Sequence, residues 1–273
     1  MHVVSSRRDV ASVGPAILHH VDLFDPHARA ALVAELAPER LVHLAWYLQP
    51  GQVWSSPENV RWVEASLGLL QEFVAAGGRR AVLAGSFSEY GPGAGRYIEE
   101  STPLLPSNLY GITKSALGQI SLAAAGIWGI ELAWARIFSA YGPGEHPARL
   151  VASVVRNLLS GHEAPCSHGR QVRDYLSTMD IAAALVAVLN SDLQGPVNVG
   201  SGEEVTLRDL VELTAEIVGR PDLPRFGEVV PPPDDPPLLV ADVTRLRDEV
   251  GWSPRYSLPE GLEVTVDSWR QAE

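Results

Sequence analysis

Tyr110 and Lys114 stand four residues apart in a segment with helical spacing, and Ser86 directly follows a short apolar run with the character of a buried strand. On a helix the i,i+4 spacing puts the phenol and the ammonium on one face. An ammonium beside a phenol favours the phenolate and lowers its pKa. Tyr110 would then exchange a proton with a carbinol or ketone near neutral pH, and the Ser86 hydroxyl could donate to the same carbonyl oxygen. Taken singly, these residues also describe a helix-surface tyrosine with a solvated lysine, and a serine that caps a turn. A serine after one strand with a Tyr/Lys pair on the next helix is a far rarer combination.

The elements that must position these groups alternate. Apolar β-branched runs at 2–5, 17–22, 41–45, 81–84 and 132–138 read as strands. Helical spacing covers 26–36, 58–76 and 108–125, with Gly77 and Gly78 stopping the second of these. A polar Gly/Pro-rich loop runs from about Gly85 to Ser107. Strands alternating with helices predict a doubly wound parallel sheet, with ligands beyond the carboxyl ends of its strands. From Tyr141 prolines interrupt the pattern, helices are expected at 148–159, 179–189, 207–218 and 244–250, and a smaller mixed lobe lies over the sheet.

Lys plus Arg is 21 and Asp plus Glu is 33, a formal charge of −12. That excess of acid argues against nucleic acid and anionic membrane surfaces as natural partners. Cys166 is the only cysteine, so no internal disulfide forms. No apolar stretch follows Arg7 and Arg8 as in a signal peptide. The apolar uncharged run between Lys114 and Glu131 falls short of the roughly 20 residues of a spanning helix. The expectation is a soluble cytoplasmic protein without a metal site.

Further stretches accompany the Ser/Tyr/Lys set: Asp22-Leu23, His43-Leu44-Ala45, Gly85 to Gly91, Tyr110 to Lys114, Arg136 to Gly144, Arg173-Asp174-Tyr175, Asp180, Asn198-Val199-Gly200 and Gly251 to Pro254. In this order, over nearly the whole chain, they resemble the extended short-chain dehydrogenase/reductases that act on nucleotide sugars, the epimerase/dehydratase group. The resemblance implies a Rossmann-like dinucleotide-binding domain over 1–145 and a mainly substrate-binding lobe over 146–273. It implies Tyr110 as acid/base, Lys114 as its partner and a ribose contact, and Ser86 as the carbonyl donor. Asp22 and Leu23 would border adenine, and Ala45 would approach the cofactor backbone. Arg173 would face the sugar-nucleotide diphosphate, for which a guanidinium fork is suited; its alternative is an ion pair with Asp174 or Asp180. His43 is left out of the site as a packing or capping residue. NAD or NADP is the implied cofactor, and Arg7 and Arg8 after the first strand would suit the 2′-phosphate of NADP. A homodimer through the helix at 58–76 and the helix bearing Tyr110 is also implied.

The chain departs from the group's pattern in three places. Phe87 and Ser88 stand where 4,6-dehydratases carry an Asp-Glu pair, which argues against dehydration. Trp62 and Ser139 occupy positions where many relatives have asparagine, which suggests a divergent substrate pocket. No Gly-x-x-Gly-x-x-Gly is present: the first 60 residues contain only Gly14 and Gly51. That loop and the helix behind it normally hold the pyrophosphate. The chain opens on what resembles the second strand of the order 3-2-1-4-5-6. The expectations are weak NAD(P) binding and a sheet that is incomplete beside residues 2–5. The functional expectation is an NAD(P)-dependent 4-ketoreductase of deoxysugar synthesis. The alternatives are a nucleotide-sugar 4-epimerase and a cofactor-deficient sugar-nucleotide-binding or partner protein.

Overall fold

A computed structural model describes residues 1–6, 14–91, 95–232 and 235–271. In chain order the elements are β1 (His2–Ser5), β2 (Ile17–His20), α1 (Pro26–Leu36), β3 (Arg40–His43), α2 (Glu58–Ala75), β4 (Arg80–Ser86), α3 (Leu109–Trp128), β5 (Glu131–Ile137) and β6 (Ser139–Tyr141). There follow α4 (Leu150–Leu159), β7 (Ala164–Cys166), β8 (Val172–Arg173), β9 (Tyr175–Ser177), α5 (Thr178–Asn190), β10 (Gly195–Val199) and β11 (Val205–Thr206). The chain finishes with α6 (Leu207–Val218), β12 (Pro224–Phe226), β13 (Leu238–Leu239), α7 (Thr244–Asp248) and α8 (Leu258–Arg270).

The main sheet is parallel, in the order β10-β5-β4-β3. Alternation along β4 separates its two cores. Ala81 and Leu83 pack with Leu70, Phe73, Leu117 and Trp134 under α2 and α3. Val82 turns the other way, onto Ala184, Leu185, Val188 and Val197. Two elements from beyond residue 145, α5 and β10, complete this layer, so the sheet does not end where the sequence division falls. Arg80, at the start of β4, fastens α5 by donating to the carbonyls of Val188, Leu189 and Leu193.

β1 pairs only with β2, in a separate parallel two-stranded sheet. Among the described residues it shares no ladder with β3, in keeping with the sequence expectation of a gap between these strands. The pair is tied on through α1, whose buried Arg29 bridges Glu72 of α2 at 2.8 Å.

The sequence pattern does not anticipate α8. This helix caps the smaller lobe, burying Leu262 and Val266 against Tyr141, Val151, Val155 and Leu210. No helix among the described residues is long and apolar enough to cross a membrane.

Candidate active site

Two glycines let α3 settle onto the end of β4. A Cβ at Gly118 would collide with the Trp134 indole, and one at Gly111 with the Ser88 carbonyl. Asn108 caps the helix by accepting from the Gly111 amide at 2.9 Å. The result seats Tyr110, in the first turn, beside Ser86 at the carboxyl end of β4.

Ser86 is fixed by its neighbours. Its amide donates to Glu89 Oε1 at 2.7 Å, and its hydroxyl accepts from the Ser88 amide at 3.1 Å. Glu89 is fully buried and also accepts from Trp134 Nε1 and Arg136 Nε, both at 2.9 Å. Arg136 donates to the Tyr90 hydroxyl, which donates to Asn198 Oδ1 at 2.7 Å. The Asn198 amide in turn donates to Glu99. Much of the sequence pattern that carries the family resemblance therefore forms one buried network behind the serine. Burial pushes the Glu89 carboxyl up while Arg136 and the Ser86 amide pull it down.

The expected coupling of Lys114 to Tyr110 is not what the structure shows. The Lys114 ammonium donates to the Ala84 carbonyl at 2.8 Å and lies 3.7 Å from the Trp46 ring centre. Burial lowers its pKa to about 7. Tyr110 is pushed up to about 12 by its own burial, and Ser86 and Arg149, not Lys114, are what pull it down. The physical reason is local: the lysine turns into the desolvated strand end and spends its proton on a carbonyl. Trp46 and Trp54 stand edge-on to the Tyr110 ring, with centroids 6.4 and 5.7 Å away. Trp46 is held by its Nε1–H to Asn59 Oδ1 at 2.8 Å. Sequence reasoning misses this residue, although it directly follows the His43-Leu44-Ala45 stretch.

The remaining sequence-predicted residues fall in two places. Asp22 is exposed just after β2 and accepts from the Phe24 amide at 3.0 Å, while the Leu23 carbonyl accepts from Arg29. Ala45 follows β3 and is half-buried. Trp62 sits between Phe24 and Trp46, with centroids at 4.6 and 6.1 Å, on the Asp22–Leu23 side. His43 is buried on the Ser66 hydroxyl at 2.8 Å. Burial, with the charge of Lys114, lowers it to about 3, so it stays neutral. Arg7 and Arg8 lie outside the described residues.

Ser139 and Arg173 line a cleft of about 260 Å³ together with Glu145, Arg149, Tyr175 and Asp235. Arg173 forms an ion pair with Asp235 and donates to the Val172 and Pro236 carbonyls. Neither aspartate considered from the sequence is its partner. Asp174 accepts from the amides of Ser201, Gly202 and Ala241. Asp180 accepts from Ser177 and from the amides of Arg255 and Tyr256. Arg149 links the two places: it lines the cleft, and its charge reaches Tyr110.

A parallel Rossmann-like sheet with a Ser/Tyr/Lys set at its strand ends defines the scaffold of a short-chain dehydrogenase/reductase. Residues 1–200 match the NAD dependent epimerase/dehydratase family, and the chain belongs to it. It is 30% identical over 253 residues to a UDP-glucose 4-epimerase of Corynebacterium glutamicum, covering 85% of this chain and 75% of that one. It is 27% identical over 279 residues to the GDP-6-deoxy-D-mannose reductase of Pseudomonas aeruginosa, covering 92% of this chain and 86% of that one. The NAD complex of the UDP-glucose 4-epimerase from Thermus thermophilus superposes with a TM-score of 0.86 at 26% identity, over 100% of this chain and 91% of that one. The NADPH complex of RMD from Pseudomonas aeruginosa gives 0.81 at 26% identity, over 96% and 93%.

The described residues fit a nicotinamide dinucleotide at its two ends. Among the described residues the exposed Asp22 carboxylate is engaged only by its own turn, and Ser86, Tyr110 and Lys114 converge at the end of β4. The pyrophosphate finds no amide cradle among them. The first amides of α1 are already taken by the Asp25 carboxylate, which accepts from His27 and Ala28, where a phosphate site needs open N–H groups.

Proposed function

We propose that the protein catalyses NAD(P)-linked reduction of a 4-keto group on a nucleotide-linked sugar. The observation that carries this reading is the state of Tyr110: a buried phenol in contact with Ser86, with Lys114 turned away onto a carbonyl. Such a phenol holds its proton, the form required when a carbonyl oxygen becomes an alkoxide and must be protonated. A bound nicotinamide supplies the hydride. Ser86 donates to the oxygen at C4, Tyr110 delivers the proton to it, and Trp46 and Trp54 wall the phenol from water. Lys114, Asp22, Leu23 and Ala45 are the proposed cofactor contacts, and Arg173 is the proposed diphosphate contact. Ser139 is assigned to the substrate side of the cleft. Dehydration is disfavoured: Phe87 and Ser88 carry no carboxyl, and Glu89 is committed to Arg136 and Trp134.

A second reading, 4-epimerisation, is favoured by the likeness to the two UDP-glucose 4-epimerases. It requires Tyr110 to act in both directions. Consumption of NADPH with a UDP-4-keto-6-deoxysugar, without interconversion of UDP-glucose and UDP-galactose, supports the reductase. The opposite pattern supports the epimerase. Exposed Val60 on α2 and Ile112, Ile120 and Ile127 on α3 support a homodimer through these helices.

A further inference from the structure

The cleft containing Ser139 and Arg173 holds a carboxylate that none of the roles above uses. Glu145 lies between β6 and α4, and its side chain is only 6% exposed. Its Oε1 accepts from Arg149 Nε at 3.1 Å, and the Ala152 amide in the first turn of α4 also favours the charged form. Oε2 is buried and has no hydrogen-bond partner. The ion pair with Arg149 occupies Oε1 and leaves Oε2 over. Buried acceptors without donors are costly and rare. The residue Glu145 lines the cleft beside Arg149 and Arg173, and burial holds its carboxyl up at about 7.

We propose that Glu145 is a specificity-determining residue whose free Oε2 accepts a hydrogen bond from a hydroxyl of the sugar ring in the bound nucleotide sugar. This rests on the nucleotide-sugar reading above. Above about pH 7 the carboxyl is ionised and only accepts, so there it selects a donor and repels anions. The division of the cleft follows from charge: the diphosphate goes to Arg173 and the hydroxylated ring to Glu145. Arg149, bonded to the other oxygen, holds the carboxylate in place. A sugar that carries its own carboxylate is selected against.

The test is calorimetric titration of UDP, UDP-glucose and UDP-glucuronic acid into wild type, Glu145→Gln and Glu145→Leu, with thermal melting to confirm folding. The glutamine keeps an acceptor for Arg149, so it remains informative if the leucine variant fails to fold. Wild type is expected to bind UDP-glucose more tightly than UDP-glucuronic acid. Glu145→Leu should weaken UDP-glucose by about tenfold, the scale of a charged hydrogen bond, while UDP changes by less than about twofold. Glu145→Gln should narrow the gap between the two sugars. Equal losses for UDP and UDP-glucose, or no loss for either, overturn the assignment and leave the nucleotide-sugar reading intact. A folded wild type that binds neither UDP-, dTDP- nor GDP-sugars overturns both.

Discussion

Lys114 offers a quantitative test of the electrostatics at this site. The residue is 4% exposed and its pKa falls from 10.5 to about 7 on burial. Between those values the unfolded chain binds a proton that the folded chain does not, so stability rises with pH across the window and falls as pH drops toward 7. At about 1.4 kcal/mol per pH unit the displacement corresponds to roughly 5 kcal/mol. Lys114→Met keeps an unbranched apolar chain against Trp46 and removes the charge. Urea unfolding of both proteins from pH 7 to 10 should show wild type gaining several kcal/mol over the variant's own pH dependence. Glu145 works in another window: its pKa rises from 4.5 to about 7, so its contribution falls as pH climbs from 4.5 to 7 and is flat above. Parallel curves for wild type and Lys114→Met above pH 7 would refute the placement of the ammonium in a desolvated site.

Tyr110→Phe keeps the ring between Trp46 and Trp54 and should lower turnover by about 10²–10⁴ with sugar-nucleotide binding retained, as steady-state kinetics and titration would show. Arg173→Ala should weaken nucleoside diphosphate binding by roughly 1.5–3 kcal/mol, with Arg173→Lys recovering only part. Asp235→Ala, which frees that guanidinium from its ion pair, should strengthen it; unchanged affinity in both alanine variants would remove Arg173 from the diphosphate site. Gly111→Ala drives a methyl into the Ser88 carbonyl and should cost about 1–3 kcal/mol of stability by thermal unfolding, with a larger loss of turnover because it displaces Tyr110.

What is legible in the sequence is what local spacing encodes. Tyr110 and Lys114 do share a helix, and Ser86 does end a buried strand, because both relations depend on neighbours in the chain. The partner each side chain chooses is not local. Lys114 selects a carbonyl 30 residues away, and Arg173 selects Asp235 across a proline-rich loop. Glu89 stands beside Ser86 in the sequence, yet its role as the hub for Arg136 and Trp134 appears only when β4 and β5 pair. Glu145 reads as an ordinary surface residue until α4 folds over it. α8 escapes the sequence pattern despite its Ser257–Glu260 capping box and early proline. Its apolar stripe of Leu258, Leu262, Val266 and Trp269 is diluted by the acidic and hydroxyl residues between them.

The central claim is hydride transfer to C4 of a nucleotide-linked sugar with Tyr110 supplying the proton. Incubating the protein with millimolar NADPH deuterated at the transferring position and a UDP-4-keto-6-deoxysugar, then locating the label by NMR, tests it most directly. Deuterium at C4 of the product, abolished in Tyr110→Phe, is the predicted result. Binding of the sugar nucleotide without any transfer of label would contradict the claim and leave a sugar-nucleotide-binding protein in its place.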